Sequence, residues 1–85
     1  MKQFEYTIKD KFGIHARPAG LLVKKVADFQ STVTVSKDSK EADAKKIFAL
    51  MGLGARFGDT IVISVEGIDE DSAVTDIEEF LKVTW

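Results

Sequence analysis

The 85-residue chain contains no cysteine, and this absence excludes disulfide bonds, thiolate metal sites and a cysteine nucleophile. It has one histidine, which is too few for a zinc site, and its carboxylates form no recognisable loop for Mg²⁺ or Ca²⁺. We therefore expect no metal and no cofactor. No apolar run is long enough to span a membrane, and the first residues lack the apolar stretch of a signal peptide. These absences predict a cytoplasmic, soluble protein without membrane insertion.

The chain also lacks a strong charge of either sign, with a formal net charge of −2 and 31% charged residues. This balance argues against a nucleic-acid binder that relies on overall positive charge, and no central strand carries the aromatic residues of an RNA-binding sheet. The length suits one domain over residues 1–85 and not two. At 45% hydrophobic residues, the chain can bury a modest core.

The spacing of apolar residues predicts seven secondary-structure elements. The strands are amphipathic, which favours an antiparallel sheet with helices on one face. Asp69 is the predicted N-cap of the last helix, and Gly52 and Gly54 are predicted to end the short helix. In chain order we predict a strand at 4–8, a helix at 16–29, a strand at 32–36, a short edge strand at 41–44, a short helix at 46–53, a strand at 61–65 and a helix after Asp69.

Two large apolar residues do not follow the stripes of their helices. Leu21 lies off the apolar stripe of the first long helix. In the short helix, Phe48 points away from the apolar face on which Met51 lies. Each residue has two interpretations. Leu21 is either a single exposed leucine without a role or part of a docking surface, and Phe48 either docks a partner or fills the core.

One segment concentrates most of the chemistry of the chain. Residues 13–19, with the sequence Gly-Ile-His-Ala-Arg-Pro-Ala, hold the only histidine, the only proline and one of the two arginines. His15 can offer a free nitrogen near neutral pH, Pro18 suits the first turn of a helix, and Arg17 can grip an anion with two parallel hydrogen bonds. The segment predicts a nucleophile at the start of a helix, next to a site for an anion of phosphate size.

A helix that starts after His15 would supply two more parts of such a site. The unpaired N–H groups of Ala16 and Arg17 would point at a group attached to the imidazole ring, and the helix dipole would stabilise its negative charge. The same dipole disfavours a protonated imidazole. Residue types and spacing alone leave open whether His15 is this nucleophile or a surface histidine that caps a helix.

The segment at 13–19 resembles the active-site signature of the HPr family, the histidine-containing phosphocarriers of the bacterial sugar phosphotransferase system. The resemblance extends along essentially the whole chain, including the glycine-ended helix at 47–54 and the turn at Gly58 and Asp59. It implies an α+β fold: an open-faced β-sandwich in which a four-stranded antiparallel sheet is covered on one face by three helices, in the order βαββαβα.

The resemblance also implies a function. His15 would accept a phosphoryl group at Nδ1 from phospho-enzyme I and pass it to the enzyme IIA domain of a sugar permease, with Arg17 assisting. The chain would be a stoichiometric carrier and not an enzyme, and we expect a monomer. The implied docking surface for both partners consists of Gly20, Leu21, Lys24, Ile47, Phe48 and Met51. A regulatory relative that serves nitrogen control or dihydroxyacetone metabolism is the alternative.

One position departs from the pattern of the family. Many members carry a serine at the start of the short helix, where an ATP-dependent kinase adds a regulatory phosphate, whereas this chain has Lys46. No serine or threonine between Lys40 and Arg56 replaces it. We therefore expect no regulatory phosphoserine here. Lys46 either helps to dock an acidic partner surface or is a solvated lysine at the start of a helix.

Overall fold

The computed structural model describes all residues from Met1 to Trp85. Four strands and three helices follow the predicted order βαββαβα. The strands are β1 (Lys2–Thr7), β2 (Thr32–Lys37), β3 (Lys40–Asp43) and β4 (Thr60–Glu66), and the helices are α1 (Ala16–Val26), α2 (Ile47–Met51) and α3 (Glu70–Thr84). None of the three helices has both the length and the apolar composition that crossing a membrane requires.

The four strands form one antiparallel sheet in the order β1-β4-β2-β3. Its register places buried side chains opposite one another, for example Tyr6 opposite Ile61 and Val35 opposite Ile63. Because side chains alternate along a strand, the polar residues between them lie on the other face. The predicted α+β class and the open-faced β-sandwich are confirmed.

The core lies between the inner face of the sheet and the helices. Leu22 of α1, Leu50 of α2 and Leu81 of α3 are fully buried, and each such side chain stabilises the fold by about 1.5–3 kcal/mol. The Tyr6 hydroxyl donates a 2.8 Å hydrogen bond to the main-chain oxygen of Leu81, and burial raises the pKa of this phenol. The last turns of α3 are therefore fixed against β1, close to the start of α1.

The first helix is shorter than predicted, because it ends at Val26 and not at Phe29. Beyond Val26 the chain tightens: the N–H of Asp28 bonds to the oxygen of Lys25, and the N–H of Phe29 bonds to that of Val26. Hydrogen bonds from the N–H of one residue to the oxygen three residues earlier are typical of a helix end. Phe29 still packs against the core, which explains why its spacing continues the helical pattern.

The short helix and the edge strand also have different limits from those predicted. Helix α2 spans five residues instead of 46–53. Gly52 keeps a right-handed backbone with φ −68°, and Gly54 is the residue with left-handed φ, at +67°. Strand β3 begins and ends one residue earlier than 41–44. The predicted hairpin with β2 is confirmed, with Asp38 and Ser39 forming its turn.

Asp69 occupies the predicted N-cap position, but its side chain does not cap α3. The carboxylate instead accepts hydrogen bonds from the N–H of Gln30 at 2.8 Å and from the N–H of Ser31 at 3.0 Å. The Ser31 hydroxyl donates a third, short bond. The predicted N-cap position is therefore confirmed, but the carboxylate joins the start of α3 to the segment before β2 instead of capping the helix.

Candidate functional site

His15 is the residue immediately before α1, where the sequence predicted it. Its backbone is extended, with φ −123° and ψ −175°, and its main-chain oxygen accepts the N–H of Ala19 at 3.0 Å. The side chain makes no capping hydrogen bond and is 42% exposed. The imidazole is thus held by backbone structure at the start of a helix while its ring stays open to solvent.

The start of α1 presents main-chain donors without partners. The N–H groups of Ala16 and Arg17 donate no hydrogen bond within the chain, and Pro18 has no N–H. Free N–H groups and the positive end of the helix dipole together favour an anion at this place. A phosphoryl group on the ring of His15 would therefore meet donors that the fold leaves unused.

Arg17 supplies the positive side chain of the site. It is exposed and forms no ion pair with a carboxylate of the chain. It shares with His15 an open groove of about 500 Å³, to which the end of α3 contributes Val83 and Thr84. An arginine with no internal partner keeps all its donors for an external anion. The groove is lined by Asp10, Phe12, His15, Arg17, Pro18, Leu21, Val83 and Thr84.

Two residues of the loop before α1 contact the imidazole, and sequence reasoning identified neither. The Oδ1 atom of Asp10 lies 3.6 Å from Nε2 of His15. The ring of Phe12 meets the ring of His15 edge-on, with centroids 6.0 Å apart and planes at 86°. The sequence indicates only a connecting loop here. The one signal that could have pointed to a role is that both residues lie close to His15 in the chain.

Gly13 fixes the path of this loop. Its backbone is left-handed, with φ +69°, and a Cβ atom at this position would lie 2.5 Å from the main-chain oxygen of Ala55. The next N–H, that of Ile14, donates a 3.1 Å hydrogen bond to the same oxygen. Only glycine suits both the backbone conformation and the close approach, so the loop lies directly against the segment that follows α2.

Trp85 joins both sides of the groove. Its side chain is buried, and the indole Nε1–H donates a 2.9 Å hydrogen bond to the main-chain oxygen of Pro18. Its own main-chain oxygen accepts the N–H groups of Lys9 at 2.6 Å and Asp10 at 2.9 Å. The residue therefore ties α1 to the loop that carries Asp10. No local pattern could reveal this, because the partners are far apart in the chain.

The predicted docking residues lie on α1 and α2, which pack against each other. Leu21 is 40% exposed and Phe48 83% exposed, so the interpretation of Phe48 as a core residue is wrong. Lys24 is exposed, and Ile47 and Met51 are half-buried. The contact between the helices passes through Gly20, where an added Cβ atom would lie 3.6 Å from Cδ1 of Ile47. The six residues therefore belong to one helix pair.

Lys46 lies immediately before α2. It is exposed, and its side chain makes neither a capping hydrogen bond nor an ion pair within the chain. The position therefore presents a free positive charge beside Ile47 and Phe48.

Comparison with known proteins agrees with this fold and with the motif at its centre. Residues 2–83 match the family described as "PTS HPr component phosphorylation site". The "Phosphocarrier protein HPr" of Mycoplasma genitalium is 41% identical over 83 residues, which cover 96% of this chain and 94% of the relative. The protein of the same description from Lysinibacillus sphaericus is 44% identical over 73 residues, covering 86% and 83%.

Among solved structures, "HPr-C-His from Thermoanaerobacter tengcongensis" is similar, with a TM-score of 0.92 and 38% identity over 99% of this chain and 94% of that one. The open-faced sandwich and the histidine at the start of α1 define a small α+β domain of the phosphocarrier class. The chain belongs to the HPr family of the phosphotransferase system.

Proposed function

We propose that the chain carries phosphoryl groups in the sugar phosphotransferase system, accepting them on His15 from phospho-enzyme I and passing them to enzyme IIA domains. One observation carries this proposal. An exposed imidazole stands at the start of α1, beside the unused N–H groups of Ala16 and Arg17 and the unpaired Arg17 side chain. This combination suits a group that gains and loses a doubly charged substituent.

The transfer step needs no cofactor. The lone pair of Nδ1 of His15 forms a bond to phosphorus, while the bond between phosphorus and the donor atom breaks and its electron pair stays with the donor. The N–H groups at the start of α1 and the Arg17 guanidinium receive the equatorial oxygens and stabilise their charge. Transfer to the acceptor is the same displacement with His15 as the leaving group.

A carrier must hold its phosphoryl group weakly enough to release it. Interactions at an exposed helix start contribute about 0.3–1 kcal/mol, and up to about 2 kcal/mol when partly buried. They position the group without trapping it. The chain is in this view a stoichiometric intermediate and not an enzyme, because each copy is loaded once and unloaded once per transfer.

Both partners would dock on the helix pair α1 and α2, next to the groove. Exposed Leu21 and Phe48 supply apolar contacts, and Lys24 supplies positive charge. Lys46 adds a second positive charge at the start of α2, where it cannot accept a regulatory phosphate. The charges favour partners with acidic docking faces.

Incubation with enzyme I and labelled phosphoenolpyruvate tests this function. We expect wild-type protein to acquire one acid-labile, base-stable label and to pass it to an enzyme IIA domain, whereas His15→Ala acquires none. The variant should retain its far-UV circular dichroism and unfolding free energy, because the ring is exposed. Retained labelling of a folded His15→Ala protein would overturn the proposal.

Arg17→Lys tests the second part of the site. Lysine keeps the positive charge but loses the planar pair of donors that fits two phosphoryl oxygens. We expect slower transfer to enzyme IIA with unchanged stability, since Arg17 forms no ion pair within the chain. Unchanged transfer rates in Arg17→Lys would remove this residue from the mechanism.

A further inference from the structure

The loop before α1 holds a carboxylate against the histidine of the site. Oδ1 of Asp10 lies 3.6 Å from Nε2 of His15, with the Asp10 side chain 26% exposed. This separation is longer than a hydrogen bond and within the range of a charged contact. The other charged residue that lines the groove is Arg17. Asp10 is therefore the negative charge that faces the imidazole, and it faces one particular nitrogen.

The position of this carboxylate is fixed by the backbone around it. Oδ1 of Asp10 accepts the N–H of Phe12 at 2.9 Å. The main-chain oxygen of Asp10 accepts the N–H of Gly13 at 3.0 Å, and its own N–H donates to the oxygen of Trp85 at 2.9 Å. Asp10 is thus held at its amide, its carbonyl and its side chain. The charge stands in place before any phosphoryl group arrives.

The imidazole is also restrained by its aromatic neighbour. The rings of Phe12 and His15 lie nearly perpendicular, with centroids 6.0 Å apart. Edge-to-face contact of this kind favours one relative orientation of two rings. Phe12 is anchored through the same atom of Asp10 that faces Nε2. One short loop therefore sets both the orientation of the ring and the charge beside it.

We propose that Asp10 is a positioning residue that keeps the proton of the neutral His15 ring on Nε2 and so makes Nδ1 the nucleophile. The inference rests on the proposed phosphoryl transfer to His15. A neutral imidazole carries its proton on one nitrogen and its free lone pair on the other, and a carboxylate beside Nε2 favours the proton there.

The same contact acts after the transfer. When Nδ1 forms its bond to phosphorus and the donor departs with its electron pair, the proton stays on Nε2 and the ring gains positive charge. Asp10 opposes that charge at the nitrogen that carries the proton. A positively charged ring is the better leaving group, so the contact favours onward transfer as well as loading.

The tautomer ratio of His15 tests the proposal directly, in protein labelled with ¹⁵N in its histidine ring and kept at alkaline pH. In Asp10→Asn the amide oxygen can still accept the N–H of Phe12, while the negative charge is lost. We expect the ratio of the Nε2–H to the Nδ1–H form to fall about two- to fivefold, the range of an exposed charged contact. An unchanged ratio would overturn the proposal.

Two further variants separate charge from structure. Asp28→Asn removes an exposed carboxylate beyond the far end of α1 and should leave the ratio unchanged. Asp10→Ala removes both the charge and the bond to Phe12. We expect its tautomer ratio to match that of Asp10→Asn. If Asp10→Ala changes the tautomer ratio and the loading rate while Asp10→Asn keeps both at the wild-type values, the residue has only a structural role and the proposal fails.

The two proposals fail in different ways. The tautomer ratio is measured without any phosphoryl donor, so it tests Asp10 alone. If the wild-type protein takes no label from enzyme I, the proposed function is wrong whatever the ratio. If it takes the label and the ratio does not respond to Asp10→Asn, only the positioning role is wrong. We expect labelling of the wild type, and in Asp10→Asn a loading rate that falls in proportion to the fraction of His15 rings that carry the proton on Nε2.

Discussion

The indole Nε1–H of Trp85 donates a 2.9 Å hydrogen bond to the main-chain oxygen of Pro18. This bond joins the last residue of the described chain to the first turn of the helix that follows His15. The main-chain oxygen of Trp85 also holds the amides of Lys9 and Asp10. The two sides of the candidate site are thus connected through a residue that is not part of the groove lining.

Substitution of Trp85 should therefore affect stability in two separable steps. Trp85→Phe keeps a large buried ring but removes the donor to Pro18, and we expect the free energy of unfolding to fall by about 1 kcal/mol. Trp85→Ala also empties the buried space and should cost about 3–5 kcal/mol. Urea unfolding followed by far-UV circular dichroism measures both. A Trp85→Phe protein as stable as the wild type would show that the hydrogen bond contributes nothing.

Gly13 and Gly54 form a matched pair for testing how tightly the loop before His15 is held. Their φ angles are +69° and +67°, so alanine is strained to a similar degree at both. A Cβ atom on Gly13 would lie 2.5 Å from the oxygen of Ala55, whereas one on Gly54 would have no neighbour within 4 Å. We expect Gly13→Ala to cost about 1–3 kcal/mol more than Gly54→Ala in urea unfolding. Equal costs would contradict the close approach.

Local sequence patterns were enough to predict the framework of the fold and the position of His15. Alternation gave the strands, helical spacing gave α1 and α3, and Pro18 indicated where α1 begins. These signals work because they depend on neighbours within a few residues. The predicted end of α1 is too late, because Phe29 packs on the core although the helix has already ended at Val26.

The missing parts of the site depend on contacts between distant segments. Asp10 looks like an ordinary loop residue, and its meaning comes from the folded path that brings it to His15. Trp85 bonds to a residue 67 positions away. Asp69 has the right residue type for a cap, but its carboxylate accepts the N–H groups of Gln30 and Ser31 instead. No periodic pattern encodes such pairings, so they required the structure.

Asp69 should contribute to stability in a pH-dependent way. The hydroxyl of Ser31 and the N–H of Gln30 lower the pKa of this carboxyl. Because this pKa is lower in the folded protein than in the unfolded chain, the ionised carboxylate stabilises the fold. This stabilisation is complete above the pKa of the unfolded chain, near 3.9, and is lost as the pH falls through the pKa of the folded protein. We expect Asp69→Asn to flatten the fall of the unfolding free energy below about pH 4.

The matched control for this prediction is Asp76→Asn, which removes an exposed carboxylate of the same helix that forms no hydrogen bond or ion pair. Its unfolding free energy should fall with decreasing pH as steeply as that of the wild type. Some loss of unfolding free energy at acid pH should remain in every variant. Main-chain N–H bonds also lower the pKa values of Glu70 and Asp59, so these carboxylates contribute to it as well. An Asp69→Asn protein with the full wild-type slope would contradict the account.

Phe48 should matter for binding and not for folding. Its side chain is 83% exposed, so Phe48→Ala should change the free energy of unfolding by no more than about 0.5 kcal/mol. Loss of an aromatic docking residue should weaken the binding of enzyme I about tenfold. Ile68→Ala is the control, since Ile68 is 88% exposed but lies in the turn between β4 and α3. Equal effects of the two substitutions on binding would place the docking surface elsewhere.

The most direct test of the account is to locate the phosphoryl group on the loaded protein by ³¹P and ¹⁵N NMR. We predict a single phosphorus coupled to Nδ1 of His15, with the largest changes in main-chain amide shifts at Ala16 and Arg17, whose N–H groups have no partner in the free protein. Phosphorus on Nε2, phosphorus on another residue, or unchanged amide shifts at the start of α1 would contradict it.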